Sequence, residues 1–325
     1  MSTKPKRLGL FGAIKRYPYF YILLLPSLIY LIIFNYIPMY GITLAFRQFA
    51  FNRPSMFGEI PILRFIGQTF NMEWVGLQWF EFLFALPDFW VVMRNTMIIS
   101  FGRLIIEFPA PIILALLLNE VRIRKLKAAY QTVFTFPHFL SWVLVVGMLN
   151  GIFQTTGVIN QALISLDKEP IRFLTDPQIF RGLLFSTNIW KSAGWGSIIY
   201  LAAIAGIDPT LYEAAMVDGA KRIHCLWHIT LPCIKSTIVI MVILTCGNIL
   251  NAGFDQIFNM YNPAVYSTAD VLDTWIFRTA FQSSGSGARS FSLTIATGTF
   301  KAVCNFALLL SANLFAKRLG EEGLI

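Results

Sequence analysis

Charged side chains interrupt several long apolar stretches of this sequence, and they are the residues best placed to do chemistry. Arg103 and Glu107 are four positions apart, so a helix would put them on one face as an ion pair. Lys191 and Lys301 stand in two other apolar stretches. Because a charge in lipid is costly, such residues usually face a polar cavity or a partner. They predict a polar path across a membrane; a structural ion pair and anchoring at the membrane surface are the alternatives.

Uncharged polar residues extend this pattern in the stretch 234–258. Asn248, Asn251 and Asp255 are separated by three and four positions, which would align them on one face of a continuous helix. Such a face can line a path, and hydrogen bonding between helices explains it equally well. The candidate path residues are therefore Arg103, Glu107, Lys191, Asn248, Asn251, Asp255 and Lys301.

No arrangement of residues indicates catalysis or a cofactor site. The sequence has no GxxxxGK[ST] loop, which a nucleotide phosphate would need. His224 and His228 are four positions apart, but zinc takes three or four protein ligands. His138 follows Pro137 and is expected to pack at a helix kink. We therefore expect no catalytic residue, metal or cofactor in this chain, so that any ATP and Mg²⁺ would be bound by another subunit.

The composition is typical of a membrane protein. Of the 325 residues, 56% are hydrophobic and 13% are charged, and the mean hydropathy is +0.63, whereas a soluble domain has about 25% charged residues. The net charge of +9 could suggest nucleic acid, but the basic residues stand beside apolar runs, as they do at a membrane surface. We therefore expect a lipid bilayer and no nucleic acid as a partner. The four cysteines have no metal or disulfide spacing.

Six apolar runs are long enough to cross a bilayer as helices. The first is too long for a signal peptide and lacks a small-residue cleavage site. The predicted spans are 19–46, 92–118, 129–153, 183–207, 234–258 and 291–316. An aromatic segment with short helices is predicted at 47–89, and a loop rich in Asn, Ser and Gly at 259–290.

The distribution of basic residues predicts the orientation. Six spans place both termini on one side, and most Lys and Arg residues of the loops lie on that side. The positive-inside rule makes that side cytoplasmic. The predicted regions are a cytoplasmic N-terminus (1–18), a first transmembrane helix (19–46), an external loop (47–89), a core of five helices (91–316) and a cytoplasmic tail (317–325).

The most polar long segment of the second half, 208–232, lies between two of these spans. Asp208 and Pro209 are a favourable N-cap and first helical residue. Gly219 is favourable at a helix end, because a left-handed conformation costs glycine little. A second helix is predicted from residue 220 to about residue 229. An ordinary amphipathic loop at the membrane surface would share these features.

The residue types of this segment resemble the EAA motif of type I ABC-importer permeases, written EAA-x-x-x-G with a downstream apolar residue and Leu-Pro. The matching residues are Glu213, Ala214, Ala215, Asp218, Gly219, Ala220, Ile229, Leu231 and Pro232. Further similarity, to the oligosaccharide and polysaccharide permeases of this superfamily, covers nearly all of the chain after the first span. It is carried by Asn95, Thr96, 114–119, 136–142, Gly157, Asn160, 189–191 and 200–203.

The resemblance implies an all-α polytopic protein of the bacterial inner membrane with six transmembrane helices. It implies a second homologous permease, two ATPase subunits that bind ATP, a periplasmic solute-binding protein and an oligosaccharide substrate. It also implies a coupling segment at 208–232, which docks on an ATPase subunit. Its residues would be Glu213, Ala214, Ala215, Asp218, Gly219, Ala220, Leu231 and Pro232.

Two questions remain open at the level of the sequence. Arg103, Lys191 and Lys301 would suit an anionic sugar such as a uronate oligomer, of which alginate is an example, but they serve equally well as anchors or in ion pairs. A self-contained secondary transporter is the alternative function. It would show internal repeats or broken helices at matched positions of two halves, and no such repeat is evident in the sequence.

Overall fold

The computed structural model is almost entirely helical and describes residues 15–50, 54, 61–282, 288–318 and 320. The helices are α1 (Pro18–Leu31), α2 (Pro61–Phe70), α3 (Gln78–Ala85), α4 (Pro87–Gly102), α5 (Pro109–Glu120), α6 (Arg124–Thr135), α7 (Trp142–Phe153), α8 (Val158–Ser165), α9 (Pro177–Ala205), α10 (Pro209–Val217), α11 (Arg222–Cys225), α12 (Lys235–Gly247), α13 (Phe254–Met260), α14 (Tyr266–Ala269), α15 (Leu272–Phe277) and α16 (Ala288–Arg318). Short helical turns extend several of them. The described residues contain no β-strand, and Arg47 and Trp74 form an isolated antiparallel bridge.

Four segments are long and apolar enough to cross a membrane singly, and two bent helix pairs bring the number to as many as six. The single segments are Pro18–Phe46, Pro87–Glu120, Trp142–Ser165 and Ser290–Arg318. The bent pairs are α9 with α10, at 70°, and Arg222–Cys233 with α12, at 57°. The predicted all-α membrane fold is confirmed.

Prolines shape these long segments. Three of the four π-turns in the described part of the chain, Ile32–Tyr36, Arg103–Glu107 and Leu226–Thr230, end two residues before a proline. A proline ring clashes with the carbonyl group four residues earlier, and it has no N–H to donate. That carbonyl group belongs to the π-turn in each case. The wider turn accommodates the proline, so the segment continues instead of ending.

The chain divides into two compact units, of which the smaller comprises residues 1–83 and 284–299. Within it, the backbone oxygen of Arg47 accepts hydrogen bonds from the indole of Trp79, at 3.0 Å, and from the hydroxyl of Ser292, at 2.9 Å. The Ser292 hydroxyl in turn accepts the backbone N–H of Phe49 at 3.0 Å. These bonds fix the extended backbone around residue 47, which follows the first membrane segment.

The larger unit comprises residues 84–283 and 300–325, and α9 runs through its core. Phe180 and Leu184 of α9 are fully buried in a cluster with side chains of α4, α7 and α13. Tyr200, near the other end of α9, is buried with Ala115 of α5 and with Ile234. One 29-residue helix therefore holds both ends of the unit in a fixed relation.

The predicted third span, 129–153, is wrong as a single helix. α6 ends at Thr135, a 3-10 turn covers Phe136–Phe139, and α7 begins at Trp142. Pro137 cannot supply a backbone donor to a continuing helix. The hydroxyl of Ser141 accepts the N–H of Leu144 at 3.3 Å and so caps a new helix.

The predicted fifth span, 234–258, is broken as well. α12 ends at Gly247, and the chain passes through two left-handed residues, Ala252 (φ 46°) and Gly253 (φ 76°), before α13 begins. A Cβ atom on Gly253 would lie 2.5 Å from the guanidinium of Arg103, so this close approach requires glycine. The helix before α12 also differs from its prediction of 220–229, since it runs Arg222–Cys233 and includes Pro232.

The segment 259–290, predicted as a loop, is largely helical where the structure describes it. Four apolar side chains of this segment are buried, whereas those of a solvent-exposed loop would not be. They are Val265, Val271, Leu272 and Trp275. Helices α4 and α9 hold the segment through side chains. The carboxamide of Asn95 donates to the backbone oxygen of Ser267 at 3.0 Å.

Arg181 completes this attachment. Its guanidinium donates to the Asn95 carboxamide oxygen at 2.9 Å and to the backbone oxygen of Thr268 at 3.0 Å. The backbone N–H of Leu272 donates to the hydroxyl of Thr96 at 2.9 Å. The apolar residues and these polar contacts together make the segment part of the core.

The contact of α9 with α6 generates a test of the fold. A Cβ atom on Gly194 would collide with the backbone oxygen of Phe134 and would lie 2.7 Å from the backbone nitrogen of Thr135. We expect Gly194→Ala to destabilise the protein by about 1–3 kcal/mol, because two backbones must separate. Thermal unfolding in detergent measures the effect. Gly182 lies on the same helix with nothing within 4 Å of its Cβ position, so Gly182→Ala is the control. Equal melting of the two variants would contradict the close packing.

Candidate coupling segment and buried polar clusters

The segment 208–232 begins with a capped helix, α10. The carboxylate of Asp208 accepts the backbone N–H of Thr210 at 2.9 Å. This hydrogen bond lowers the pKa of Asp208 from its ordinary value, because it favours the ionised form. The negative charge is also favoured at the N-terminus of a helix. The cap predicted from Asp208 and Pro209 is confirmed.

The end of α10 is a Schellman motif. The N–H of Gly219 donates to the oxygen of Met216 at 3.1 Å, and the N–H of Ala220 donates to that of Ala215 at 2.9 Å. Gly219 has φ +79°, and a Cβ atom there would have nothing within 4 Å. Glycine is therefore favoured here by the left-handed backbone conformation and not by a lack of space. This agrees with the prediction from the sequence.

Most of α10 is exposed. Met216 and Val217 are 61% and 88% exposed, and Leu211, Glu213 and Ala214 are exposed as well. The helix lies at 70° to α9, so it projects across the end of the membrane segment. An exposed apolar helix face that also carries a carboxylate suits a protein partner.

One contact ties α10 to the chain that follows it, and a second ties that chain to the end of α5. The hydroxyl of Tyr212 lies 2.9 Å from that of Thr230. Arg222 pairs with Glu120 at 3.1 Å. A cavity of about 730 Å³ lies between these elements.

The predicted coupling residues fall into two groups by position. Glu213, Ala214, Asp218 and Gly219 are exposed, with Ala215 and Ala220 half-buried. Leu231 instead packs against the buried cluster around Tyr200 and Ile234, and Pro232 beside it is exposed. The first group can contact a partner, and Leu231 ties the segment to the core of the larger unit.

The structure confirms the pairing of Arg103 with Glu107 and adds two partners. The Arg103 guanidinium lies 3.5 Å from the Glu107 carboxylate and donates to the carboxamide oxygen of Gln256 at 2.5 Å. The carboxamide of Asn188 donates to Glu107. Arg103, Glu107, Asn188 and Gln256 are called the central cluster below.

The central cluster joins three parts of the larger unit. Its residues come from the π-turn after α4, from α9 and from α13. The carboxamide of Gln256 also donates to the oxygen of Leu184 at 2.7 Å and to the hydroxyl of Thr187 at 2.9 Å. One side of the cluster lines a cavity of about 360 Å³. Asn188 and Gln256 were not predicted from the sequence, although amides within apolar helices are a signal for such partners.

Lys191 is buried, with 7% of its surface exposed, so the anchoring alternative is wrong for this residue. Its ammonium donates to the backbone oxygen of His138 at 2.8 Å and lies 5.5 Å from the ring centre of Trp142. The imidazole of His138 stacks on the indole of Trp195 at 4.7 Å. The 3-10 turn around Pro137 leaves the carbonyl group of His138 free to accept the lysine.

Lys301 is paired within the core of the larger unit. Its ammonium lies 2.5 and 2.7 Å from the two carboxylate oxygens of Asp273 in α15. The ion pair fixes the Lys301 ammonium against α15, so the alternative of a structural ion pair is favoured for this residue.

Asn248, Asn251 and Asp255 do not share one face of a continuous helix, since the break at residues 252–253 separates them. Asn251 donates to the carboxamide oxygen of Asn248 at 3.1 Å, and all three residues are exposed.

His224 and His228, the two histidines that are four positions apart, are close to each other. The Nδ1 atom of His228 lies 3.1 Å from the backbone oxygen of His224. The described residues contain no group of three or more His, Cys, Asp or Glu that could hold a metal.

Comparison with known proteins places this arrangement among transporters. Residues 174–321 match the family model described as binding-protein-dependent transport system inner membrane component. Protein LplB of Bacillus subtilis (strain 168) is 42% identical, over 99% of this chain and 96% of the relative. The polygalacturonan/rhamnogalacturonan transport system permease protein YteP of the same organism is 41% identical, over 99% of this chain and 94% of the relative.

A solved structure agrees with these relatives. A chain of the bacterial alginate ABC transporter, crystallised in complex with an alginate pentasaccharide-bound periplasmic protein, is 37% identical and superposes with a TM-score of 0.83. The match covers 97% of this chain and 99% of the solved chain. The fold is therefore that of an ABC-transporter permease over nearly its full length.

The central cluster gives a test that separates its structural role from a role in transport. Arg103→Met leaves a nearly buried carboxylate without its cation, so we expect a loss of about 3–5 kcal/mol of stability. The double variant Arg103→Met, Glu107→Leu should recover most of it, because no charge is left unpaired. Melting in detergent compares the three proteins. Normal transport by a stable double variant would contradict the assignment of this pair to the path.

Proposed function

Since this chain belongs to the family of binding-protein-dependent transport system inner membrane components, we propose that it is a permease subunit of an ATP-driven oligosaccharide importer. The observation that carries the proposal is α10, a capped helix that leaves the membrane segment at 70° and exposes Glu213, Met216 and Val217. A helix of this kind suits a groove on an ATPase subunit. The chain itself would be a non-catalytic subunit.

The partners follow from this proposal. Two ATPase subunits bind ATP and Mg²⁺ in the cytoplasm and contact α10. A second, homologous permease completes the translocation path, and a periplasmic solute-binding protein delivers the sugar. The complex of the alginate transporter with its periplasmic protein supports this last partner. The basic loops support a cytoplasmic position for both termini and α10 at the inner membrane.

α9 provides the mechanical link in this mechanism. ATP binding draws the ATPase subunits together, and α10 moves with them. Only three residues join α10 to α9. α9 in turn carries Asn188 of the central cluster. A displacement of α10 therefore reaches the middle of the membrane through one rigid helix. The change of state also requires that ATP and the loaded binding protein favour the outward-open form.

The relatives support an acidic substrate. YteP is named for polygalacturonan and rhamnogalacturonan, and the solved transporter carries alginate. The sugar units of polygalacturonan and alginate bear carboxylates. The basic residues expected to meet such a substrate already have partners inside the protein, since Arg103 binds Glu107, Lys191 binds a carbonyl group and Lys301 binds Asp273. The main role of these three side chains is therefore to stabilise the larger unit.

A secondary transporter is less well supported. The break between α12 and α13 does resemble the discontinuous helices of such carriers. A self-contained carrier has no use for an exposed α10, however, and relatives matched over nearly their whole length are ABC-transporter subunits.

A binding screen tests the substrate class. The solute-binding protein encoded with this permease should bind trigalacturonate or a short alginate oligomer more tightly than neutral trisaccharides. Thermal shift and calorimetry of that protein measure the preference. With the complete transporter in liposomes, the preferred sugar should also stimulate ATP hydrolysis. Stimulation by neutral sugars alone would rule out the acidic class and leave the importer standing.

Two substitutions test the coupling role of α10. Gly219→Val forces a β-branched side chain to positive φ, so we expect an intact, inserted permease with impaired transport. Gly219→Asn is the matched control, because asparagine tolerates this conformation better. Glu213→Ala should weaken ATPase association by about tenfold, through loss of one charge-assisted hydrogen bond. Glu169→Ala, an exposed acid of the opposite side, is its control. Full ATPase association and normal transport by Gly219→Val and Glu213→Ala would show that α10 is a passive loop.

A further inference from the structure

A third cavity lies at the end of α9 opposite to α10. Its volume is about 410 Å³, within the range of about 300–1,000 Å³ of small-molecule sites. Its walls come from the end of α7, the chain just before α9 and the end of α13. The 29 residues of α9 rise about 40 Å. If α10 is cytoplasmic, this outer pocket therefore opens on the periplasmic side.

Buried contacts hold the walls of the outer pocket in place. The carboxamide of Asn160, which is fully buried, donates to the backbone oxygens of Gln154 and Ile171, both at 2.9 Å. Its oxygen accepts the N–H of Ile171 at 2.7 Å. One asparagine thus ties the turn after α7 to the chain that enters α9, so the pocket is preformed.

A second asparagine ties the third wall to the same chain. The carboxamide of Asn262 donates to the backbone oxygen of Leu174 at 2.9 Å, and its oxygen accepts the N–H of Ala264 at 3.1 Å. The rings of Phe153 and Phe173 meet edge to face at 5.3 Å in the wall between them.

Several polar side chains that line the outer pocket are available to a ligand. Asn150, Gln154 and Arg172 make no side-chain hydrogen bond or ion pair with any part of the chain that the structure describes. Arg172 is exposed, and it is the single charged residue among the described lining residues. Burial raises the pKa of Tyr261, another lining residue, to about 12, so its phenol is neutral at physiological pH.

These groups match one class of ligand. Amide side chains donate and accept hydrogen bonds, as sugar hydroxyl groups require. The apolar faces of sugar rings can lie against Phe153, Phe173 and Tyr261. A guanidinium binds a carboxylate in a bidentate, charge-assisted way. A neutral sugar would leave Arg172 without a partner, whereas a uronate unit would use it.

We propose that the outer pocket is an entry subsite for one uronate-containing end of the oligosaccharide, with Arg172 binding its carboxylate. The inference rests on the proposed importer function and adds the place where this chain first contacts its substrate. In the complex, the sugar passes from the binding protein to the outer pocket before it reaches the path between the two permeases. Arg172 selects acidic sugars at this step, which the internally paired Arg103, Lys191 and Lys301 do not do.

The test compares two basic residues of the same outer segment. Arg172→Gln and Lys168→Gln each remove one positive charge, but Lys168 does not line the pocket. The complete transporter in liposomes is supplied with binding protein loaded with trigalacturonate. We expect Arg172→Gln to raise the KM for uptake by about tenfold, the size of one lost charge-assisted hydrogen bond, and Lys168→Gln to leave it unchanged. Arg172→Lys should recover part of the loss.

The outcomes separate this inference from the function on which it rests. Uptake of trigalacturonate by the native transporter, with equal KM values for the two glutamine variants, would refute the subsite alone. Import of neutral sugars only would refute the acidic subsite and retain the importer. The affinity for sugar-free binding protein should be the same in both variants. A loss of that affinity in Arg172→Gln would show that Arg172 contacts the binding protein and not the sugar.

Discussion

Polar groups inside a membrane must find partners within the protein, and the larger unit depends on how α9 satisfies that requirement. Water is not available in the hydrocarbon region, so each unsatisfied polar group costs several kcal/mol. Along α9, Arg181 binds Asn95, Asn188 binds Glu107 and Lys191 binds the carbonyl group of His138. The same helix therefore serves as the partner for polar groups on α4, on the π-turn after it and on the turn before α7.

This arrangement explains why irregular backbone occurs where it does. The left-handed conformation of residues 252 and 253 lets Gly253 approach the Arg103 guanidinium. That guanidinium donates a hydrogen bond to the carboxamide oxygen of Gln256. The 3-10 turn at Pro137 exposes a carbonyl group that Lys191 binds. In both places a helix is interrupted and a buried cation gains an oxygen partner. Discontinuous backbone is tolerated at membrane depth only where it is buried in protein or lines a water-filled cavity.

The two ends of α9 present different surfaces. At one end, α10 exposes apolar side chains and a carboxylate on a short capped helix, which is suited to a protein partner. At the other, the outer pocket combines aromatic rings, free amides and one arginine, which is suited to an acidic sugar. A rigid helix between a partner-binding surface and a ligand-binding surface is the element that an ATP-driven importer needs. Tertiary contacts with α5, α6, α13 and the π-turn after α4 hold α9 along its length and fix the relation between its two ends.

Features that depend on short spacings could be predicted from the amino-acid sequence alone. Run length and composition predicted an all-α membrane protein, Asp208 and Gly219 predicted both ends of α10, and the interval of four predicted the Arg103–Glu107 pair. The roles of the coupling and path residues stay predictions. The positions at which the spans break, and the partner of each buried charge, depend on the packing of the helices and could not be predicted. Arg103 and Gln256 are 153 positions apart, and Lys301 and Asp273 are 28. No local rule selects one distant partner among many, because the choice depends on which helices pack together and on the cost of leaving a charge unpaired in lipid.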